Sequence, residues 1–305
     1  MIVNTIEKVS ILHLVTAAKN ASPFDVNMAY DAGFDKIIPY TNVTLQEVDG
    51  LTQDAIFSRS PSGIKREAIF IGGRDIELAV DMQSAAKTSM FAPFEISTFA
   101  DPSGAFTTAA AMMAKVEHQL ITNYGAGFAG RKVSVFGASG PVGGCAAIIA
   151  ALAGAIVELV SHLHFSEMQA RTEAYNARYH ITATAVDGAS EEAKEEIVAN
   201  TEVVICSAAA GVRVLNLSQF SQCTSVKVMA DVNAVAPSGI EGLDAFANGD
   251  LIKGSKIAGI GALEIGQLKY KTQQDLLKKM LASDQAMHLD FNAAFLMARE
   301  IVSSA

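Results

Sequence analysis

Short apolar runs alternate with longer amphipathic stretches along most of the chain. Lys132–Phe136 predicts a buried strand, and the small, apolar residues of Cys145–Leu152 predict a helix packed on a sheet. The same pattern predicts further strands at Ala68–Ile71, Phe94–Phe99, Ile156–Val160, Ile181–Val186, Glu202–Ser207 and Val226–Asp231. Repeated strand–helix units of this length are typical of parallel, doubly wound sheets, so the predicted fold class is α/β.

The N-terminal region carries this alternation too and predicts an α/β domain of its own. A helix is expected over Val26–Gly33, opened by Asp25, and a loop over Pro39–Asn42. The glycine-rich stretch Gly125–Gly130 is the best boundary signal. The predicted domains are therefore residues 1–125, completed by C-terminal helices within 270–305 (Gln273–Leu281 and Asp290–Val302), and a Rossmann-type domain at 126–269.

A glycine turn joins the strand at Lys132–Phe136 to the helix that follows it. Backbone N–H groups and the positive end of a helix dipole make such a turn an anion site, and glycine lets a pyrophosphate approach closely. The turn departs from G-x-G-x-x-G because Ala138 occupies the first glycine position. Dinucleotide binding is favoured over a purely structural turn, with contacts expected from Gly137, Ala138, Ser139, Gly140, Pro141, Val142 and Gly143.

Two other places bear on the nucleotide. The end of the second Rossmann strand has no carboxylate to bond a ribose 2′-OH; Ser161 and His162 stand there instead, which favours NADP over NAD. Nicotinamide sites lie beyond the carboxyl ends of the strands. We therefore expect further cofactor contacts from Ala208, Ala209, Gly211, Asp231 and Asn233.

Composition narrows the function further. Half of the 305 residues are apolar, and the net charge of −9 disfavours a nucleic-acid or anionic-membrane surface. The three cysteines have no metal or redox spacing, so reduced thiols, no metal site and a cytoplasmic location are expected. The N-terminus has no convincing signal peptide, and the apolar run Cys145–Val160 is too short to span a membrane.

The catalytic inventory points away from acid–base chemistry. The sequence has no Ser-His-Asp or metal-ligand spacing, and His13, His118, His180 and His288 have no convincing local catalytic partner. A histidine-dependent alcohol or hydroxy-acid dehydrogenase is therefore disfavoured. Hydride transfer without an accompanying proton transfer suits these residues better.

Several ordered blocks resemble the NAD(P)-dependent methylene-tetrahydromethanopterin dehydrogenases of one-carbon metabolism. The blocks cover nearly the whole chain and depart from the family pattern at Ala138, Arg74, Pro102, Phe106 and Glu264. They are PFDVNMAYDAGFDKIIPYTNV (23–43), AIFIGGRD (68–75), FAPFEIS (91–97), DPSGAFTTAAA (101–111), SGPVG (139–143), ADVNAVAPSGIEGLDA (230–245) and GALEIGQLKYK (261–271).

The resemblance implies a two-domain subunit with its active site in the interdomain cleft, assembled as a homotrimer or a dimer of trimers. It implies hydride transfer from a methylene carrier to NADP, with NAD possible, and a site that mainly positions two rings. Lys269 and Lys271 match the family lysines beside the substrate, although a solvated helix start is the alternative. The other implied contacts are Phe24, Asp25, Asp31, Tyr40, Asp101, Thr107 and Thr108 for the pterin and Gly261 for the cofactor.

Three rival functions stay open from the sequence. The first is the same oxidation on tetrahydrofolate, which shares the pterin and the methylene bridge. The second is a shikimate- or amino-acid-type dehydrogenase, in which Lys269 and Asp101 or Asp231 would form the acid–base pair. The third is a nucleotide-sensing regulator without turnover.

Overall fold

The computed structural model describes residues 9–304, which divide into two compact units. The first unit comprises the chain up to Phe106 together with Lys271–Ala294. The second comprises Thr107–Tyr270 and the chain from Phe295 onward. The boundary predicted at 125/126 lies one long helix further along, and it stays a prediction, because a helix that leads from one unit to the next can be assigned to either.

Strands and helices alternate through the part of the chain that the structure describes. The strands are β1 (Ile11–Val15), β2 (Lys36–Tyr40), β3 (Glu67–Ile71), β4 (Ser97–Ala100), β5 (Lys132–Phe136), β6 (Ile156–Ser161), β7 (Ala183–Asp187), β8 (Val203–Cys206), β9 (Val228–Asp231), β10 (Asn248–Leu251), β11 (Ala258–Ile260) and β12 (His288–Leu289). The α-helices are α1 (Pro23–Ala32), α2 (Val48–Phe57), α3 (Pro61–Ile64), α4 (Ile76–Thr88), α5 (Ala105–Tyr124), α6 (Pro141–Leu152), α7 (Phe165–Tyr179), α8 (Glu191–Ala199), α9 (Ala262–Ala282) and α10 (Phe291–Ser303).

The first unit is built on a five-stranded sheet of order β2-β1-β3-β4-β12, parallel throughout. Every residue of β3 is buried, as expected for a central strand covered on both faces. The chain turns to one side after β1 and to the other after β3. The strand order therefore reverses between these two strands, and such a switch point leaves a crevice beyond their carboxyl ends.

The second unit is built on a seven-stranded sheet of order β10-β11-β9-β8-β5-β6-β7. Its pairs are parallel apart from the edge pair β10–β11. Six of these strands follow the Rossmann order 3-2-1-4-5-6, with β5 as the first, so the predicted doubly wound α/β fold is confirmed. The switch point lies between β5 and β8, directly beyond which the glycine turn is placed.

Three predicted elements of the first unit have different ends in the structure. Pro39 and Tyr40, predicted as loop, end β2; this is an edge strand, where a missing N–H is tolerated. The strand predicted at Phe94–Phe99 is Ser97–Ala100. Helix α1 begins at Pro23, because Ser22 rather than Asp25 is its N-cap and accepts from the Asp25 N–H.

Helix α9 is longer than the sequence indicated. It runs unbroken over 21 residues, whereas the predicted helix covered only Gln273–Leu281. Gly266 is exposed and no atom lies within 4 Å of where its Cβ would be, so the helix continues through it at a modest propensity cost. Lys269 and Lys271 therefore lie inside a helix and not at its start, whereas Lys271 is exposed to solvent. The roles of both lysines stay predictions.

Candidate functional site

The glycine turn of the second unit is tight and leads straight into α6. The Gly140 N–H donates to the Gly137 carbonyl at 3.0 Å, and Gly137 has a φ of 81°. Gly140 is the N-cap and Pro141 is the first helical residue, where its missing N–H is harmless. The N–H groups that α6 leaves unbonded in its first turn therefore face the space beyond β5.

Two of the three glycines are required by close packing. A Cβ on Gly137 would lie 2.5 Å from the backbone carbon of Ser207, and one on Gly143 would overlap the Ser207 hydroxyl. Gly140 differs, because its Cβ would be 3.4 Å from the Gly137 carbonyl oxygen. The turn is thus pressed onto the end of β8, while the α6 N-terminus stays open. This cradle fits a dinucleotide pyrophosphate.

The remaining predicted residues of the turn divide by exposure. Ser139 and Pro141 are exposed and Val142 is half-buried. Ala138 is fully buried, backbone included, so it presents no surface to a ligand. Its small side chain keeps the turn against the sheet.

The end of β6 is where the ribose of a bound dinucleotide would be contacted. Ser161 is buried there and pairs in register with Asp187, the last residue of β7. Asp187 caps its own loop by accepting from the Ala189 N–H at 3.0 Å. His162 is exposed. The end of β6 itself therefore carries a hydroxyl and an imidazole rather than a carboxylate.

Asp231 and Asn233 hold the loop after β9. The Asp231 carboxylate accepts from the N–H groups of Asn233 at 2.9 Å and Ile240 at 3.2 Å, and its burial raises its pKa. The Asn233 amide oxygen accepts from the N–H groups of Gly211 and Val235. These side chains order the loops at the sheet edge.

Glycine and cysteine fill the tightest places around these loops. A Cβ on Gly239 would lie 2.6 Å from the sulfur of Cys206, whose burial raises the pKa of its thiol. Gly261, predicted as a cofactor contact, is buried, and a Cβ there would overlap the carbonyl oxygen of Asp244. Ala209 is exposed, whereas Ala208 and Gly211 are half-buried at the carboxyl end of β8.

In the first unit, a buried carboxylate lies at the switch point. Asp25, in the first turn of α1, is 4 % exposed and accepts from the Gln273 side-chain amide at 3.1 Å. Its other oxygen would be 3.8 Å from a Cβ on Gly72, and the Thr16 side chain is equally close to that position. Asp25, Thr16 and the Gly72-Gly73 turn therefore come together beyond the carboxyl ends of β1 and β3.

The Asp101 loop adjoins the same turn. The Ser103 hydroxyl donates to the Gly73 carbonyl at 2.7 Å, and Ser103 has a φ of 54°. Asp101 is fully buried, and its carboxylate accepts from the Phe106 N–H at 3.0 Å. Thr107 is buried and Thr108 half-buried in the first turn of α5. Asp101 thus organises the loop from within.

Two of the predicted pterin contacts, Asp31 and Tyr40, have surroundings different from those of Asp25. Phe24 is exposed beside it, but Asp31 lies six residues along α1, about 9 Å away along the helix axis. The Tyr40 hydroxyl lies 3.1 Å from the His13 ring, and burial followed by the Glu67 carboxylate raises the pKa of Tyr40. The roles of Asp31 and Tyr40 stay predictions.

The two lysines of α9 point in different directions. Lys269 is half-buried on the helix face that contains Ile265, Thr272 and Leu276, one turn before Gln273. Lys271 is exposed and forms an ion pair with Asp275 at 2.9 Å. Of the two, Lys269 is on the face that also presents Gln273, the partner of Asp25.

Sequence reasoning missed Thr16 and Gln273. For Thr16, the only signal in the sequence was its position directly after a strand. Gln273 gave no signal, because it is 248 residues from Asp25 in the chain. Within residues 9–304, no group of three or more His, Cys, Asp or Glu side chains is arranged to hold a metal ion. Across that same range, no helix has the length and apolar character needed to cross a membrane.

Comparison with known proteins identifies the family. Residues 23–103 match the family model described as methylene-tetrahydromethanopterin dehydrogenase, N-terminal. The NAD(P)-dependent methylenetetrahydromethanopterin dehydrogenase of Methylorubrum extorquens is 42 % identical over 292 residues, which are 96 % of this chain and 98 % of that protein. The chain belongs to this dehydrogenase family. A second relative from the same organism, Bifunctional protein MdtA, is 32 % identical over 92 % of this chain and 94 % of its own.

Two solved structures have the same overall fold as this chain. Shikimate 5-dehydrogenase from Listeria monocytogenes superposes with a TM-score of 0.51 at 12 % identity, covering 96 % of each chain. Ornithine carbamoyltransferase from Pyrococcus furiosus has a TM-score of 0.50 at 10 % identity, covering 92 % of this chain and 87 % of its own. Such different enzymes share the architecture, so the fold alone does not determine the reaction.

Proposed function

We propose that the protein is an NAD(P)-dependent dehydrogenase that oxidises methylenetetrahydromethanopterin to its methenyl form. The observation that carries the proposal is the 42 % identity, over nearly the whole of both chains, to the relative of that name. The cradle of Gly137 and Gly143 supports it, because it provides the anion site that a dinucleotide needs.

The chemistry requires little from the protein besides positioning. A methylene carbon between two nitrogens loses a hydride, and the cation that remains is stabilised by the nitrogen lone pairs, so no proton leaves. When bound, NADP supplies a nicotinamide ring that takes the hydride at C4. The task of the chain is to hold the two rings in contact and to exclude water.

We assign pterin recognition to the switch point of the first unit. Asp25 accepts N–H groups of the aminopyrimidinone ring, and Gln273 holds its carboxylate in place. Lys269, Phe24, Asp101, Thr107 and Thr108 stay predicted pterin contacts, on the ground of the family resemblance. A shikimate-type acid–base pair through Asp231 is disfavoured, because both Asp231 oxygens already accept N–H groups of its own loop.

The finer choices belong to the same proposal. NADP is preferred over NAD, because β6 ends without a carboxylate. Tetrahydromethanopterin is preferred over tetrahydrofolate as the carrier. The resemblance favours a homotrimeric, cytoplasmic enzyme.

Absorbance of the reduced nicotinamide tests the proposal. The purified protein is mixed with NADP or NAD and with methylenetetrahydromethanopterin, methylenetetrahydrofolate or shikimate. Reduction with the methanopterin carrier and NADP at the highest kcat/KM is expected. A higher kcat/KM with methylenetetrahydrofolate would reassign the carrier, and reduction with shikimate alone would overturn the proposed reaction.

A further inference from the structure

We propose that Arg171 binds the 2′-phosphate of the dinucleotide and so determines the preference for NADP. This inference rests on the proposed function, because it assumes that the glycine turn holds a dinucleotide. Arg171 lies in α7, and it is the first Lys or Arg after β6, since residues 162–170 contain neither.

The contact between Tyr175 and α6 fixes the position of α7 along its own axis relative to α6. Its side chain is 2 % exposed, and a Cβ on Gly144 would overlap its hydroxyl. The phenol of Tyr175 therefore packs directly on the first turn of α6, at a position where only glycine leaves room for it. This contact gives a fixed point from which to place the rest of α7.

The two helices run in the same direction on the same face of the sheet. They follow β5 and β6 in right-handed crossovers to β6 and β7, and the three strands are adjacent and parallel. Gly144 lies four residues beyond the N-cap Gly140, about 6 Å down the axis of α6. Arg171 lies four residues before Tyr175, about 6 Å up the axis of α7.

These offsets bring Arg171 level with the open N-terminus of α6. Its guanidinium lies 3.5 Å from the Tyr175 hydroxyl, and the residue is exposed to solvent. A guanidinium is suited to a phosphomonoester, which it can bind through two N–H groups. β6 ends in Ser161, and the Asp187 carboxylate, in register with it on β7, accepts from the Ala189 N–H. A phosphate at this place would need a positive charge such as that of Arg171 to offset Asp187.

Neighbouring residues provide matched controls. Arg178 lies seven residues further along α7, on the same face and also exposed, about 10 Å further from the α6 N-terminus. Glu167 lies one turn before Arg171 on that face and would repel a phosphate. Neutralising Arg171, Arg178 and Glu167 one at a time therefore distinguishes a direct contact with the phosphate from a general effect of net charge on nucleotide affinity.

Calorimetry on the full-length protein, with NADP, NAD, adenosine 2′,5′-bisphosphate and 5′-AMP as probes, tests the inference. Arg171→Gln should raise the Kd for NADP and for the bisphosphate by about tenfold, and leave NAD and 5′-AMP within about twofold. Arg178→Gln should leave all four unchanged, and Glu167→Gln should tighten the two 2′-phosphorylated probes.

Two results would overturn the inference. One is an unchanged NADP affinity in a folded Arg171→Gln variant. The other is an equal loss of NADP and NAD, which would indicate a pyrophosphate contact instead. Failure of the proposed function is a different result: the wild-type protein would reduce no NADP with methylenetetrahydromethanopterin, whatever the effect of Arg171→Gln on nucleotide affinity.

Discussion

At the scale of single residues, Lys269 is the side chain on which the proposed chemistry depends most. Residues two apart on a helix point roughly 160° away from each other, and here the second lysine is paired with Asp275 at the surface. The resemblance placed both lysines beside the substrate. Only the structure separates them, because the sequence did not indicate that α9 begins as early as Ala262.

Lys269→Ala should lower turnover by about tenfold or more while the NADP affinity stays unchanged, since one oriented polar contact is lost. Lys271→Ala is the matched control and should lower turnover by less than about twofold. Steady-state kinetics with saturating carrier, together with calorimetry of NADP, measure both effects. Near-normal turnover of Lys269→Ala would remove this lysine from the mechanism.

Gly140 offers the sharpest test of the nucleotide site. It has a φ of −82°, and a side chain fits there, so Gly140→Asp should fold with aspartate as an N-cap. The same carboxylate would occupy the anion site and repel a pyrophosphate, which should abolish NADP binding.

Gly140→Ser is the control for this change, since serine also caps the helix but carries no charge. Calorimetry should find that it retains measurable NADP affinity. If the folded Gly140→Asp protein binds NADP as tightly as the wild type, the dinucleotide lies elsewhere.

Local chemistry explains which site residues could be predicted. Gly137, Gly140 and Gly143 could be recognised because the strand, turn and helix that contain them follow one another in the chain. Asp25 was identified, but its partner Gln273 and its neighbour Thr16 come from distant segments and meet only in the folded unit. The family resemblance grouped Asp31 with Asp25, although most of α1 separates them.

At the scale of elements, most inner strands were predictable, whereas β7 was the one edge strand that the sequence indicated. β8 is a continuous apolar run, and β3 is one after Glu67, because both faces of these strands are covered. Edge strands β2 and β12 are exposed or very short, and β2 contains Pro39. Their assignment depends on pairing partners that a local pattern does not reveal.

The edge strand β12 should be sensitive to acid. His288 lies 3.0 Å from the Thr98 hydroxyl on β4, and its pKa is lowered by burial and then by Lys87. The unfolded chain therefore binds the proton more readily, so the stability that neutral His288 contributes is present above pH ~6.5 and is lost as the pH falls.

Thermal unfolding measures this effect between about pH 7.5 and about pH 5.5. On acidification, the melting temperature of the wild type should fall further than that of His288→Gln. His118→Gln, at an exposed position on α5, should behave like the wild type. Equal losses in wild type and His288→Gln would show that this histidine does not couple to folding.

At the scale of the whole molecule, each unit contains one sheet of mainly parallel strands, and we propose a different binding role for each sheet. Each has one switch point, and each switch point holds the residues that the sequence or the family resemblance favoured: Asp25 in the first unit and the glycine turn in the second. Alternating strand and helix patterns were enough to predict both sheets. The exact division of the chain was less predictable, because α5 and α9 are long helices without a break at the boundary.

Direct hydride transfer between the carrier and the nucleotide is the central claim, and isotope transfer tests it most directly. Methylenetetrahydromethanopterin with both methylene hydrogens replaced by deuterium is oxidised with NADP in ordinary water, and the reduced nucleotide is examined by mass spectrometry. We predict that the NADPH retains the deuterium. Unlabelled NADPH would show that the hydrogen passes through solvent, and no NADPH at all would contradict the proposed activity.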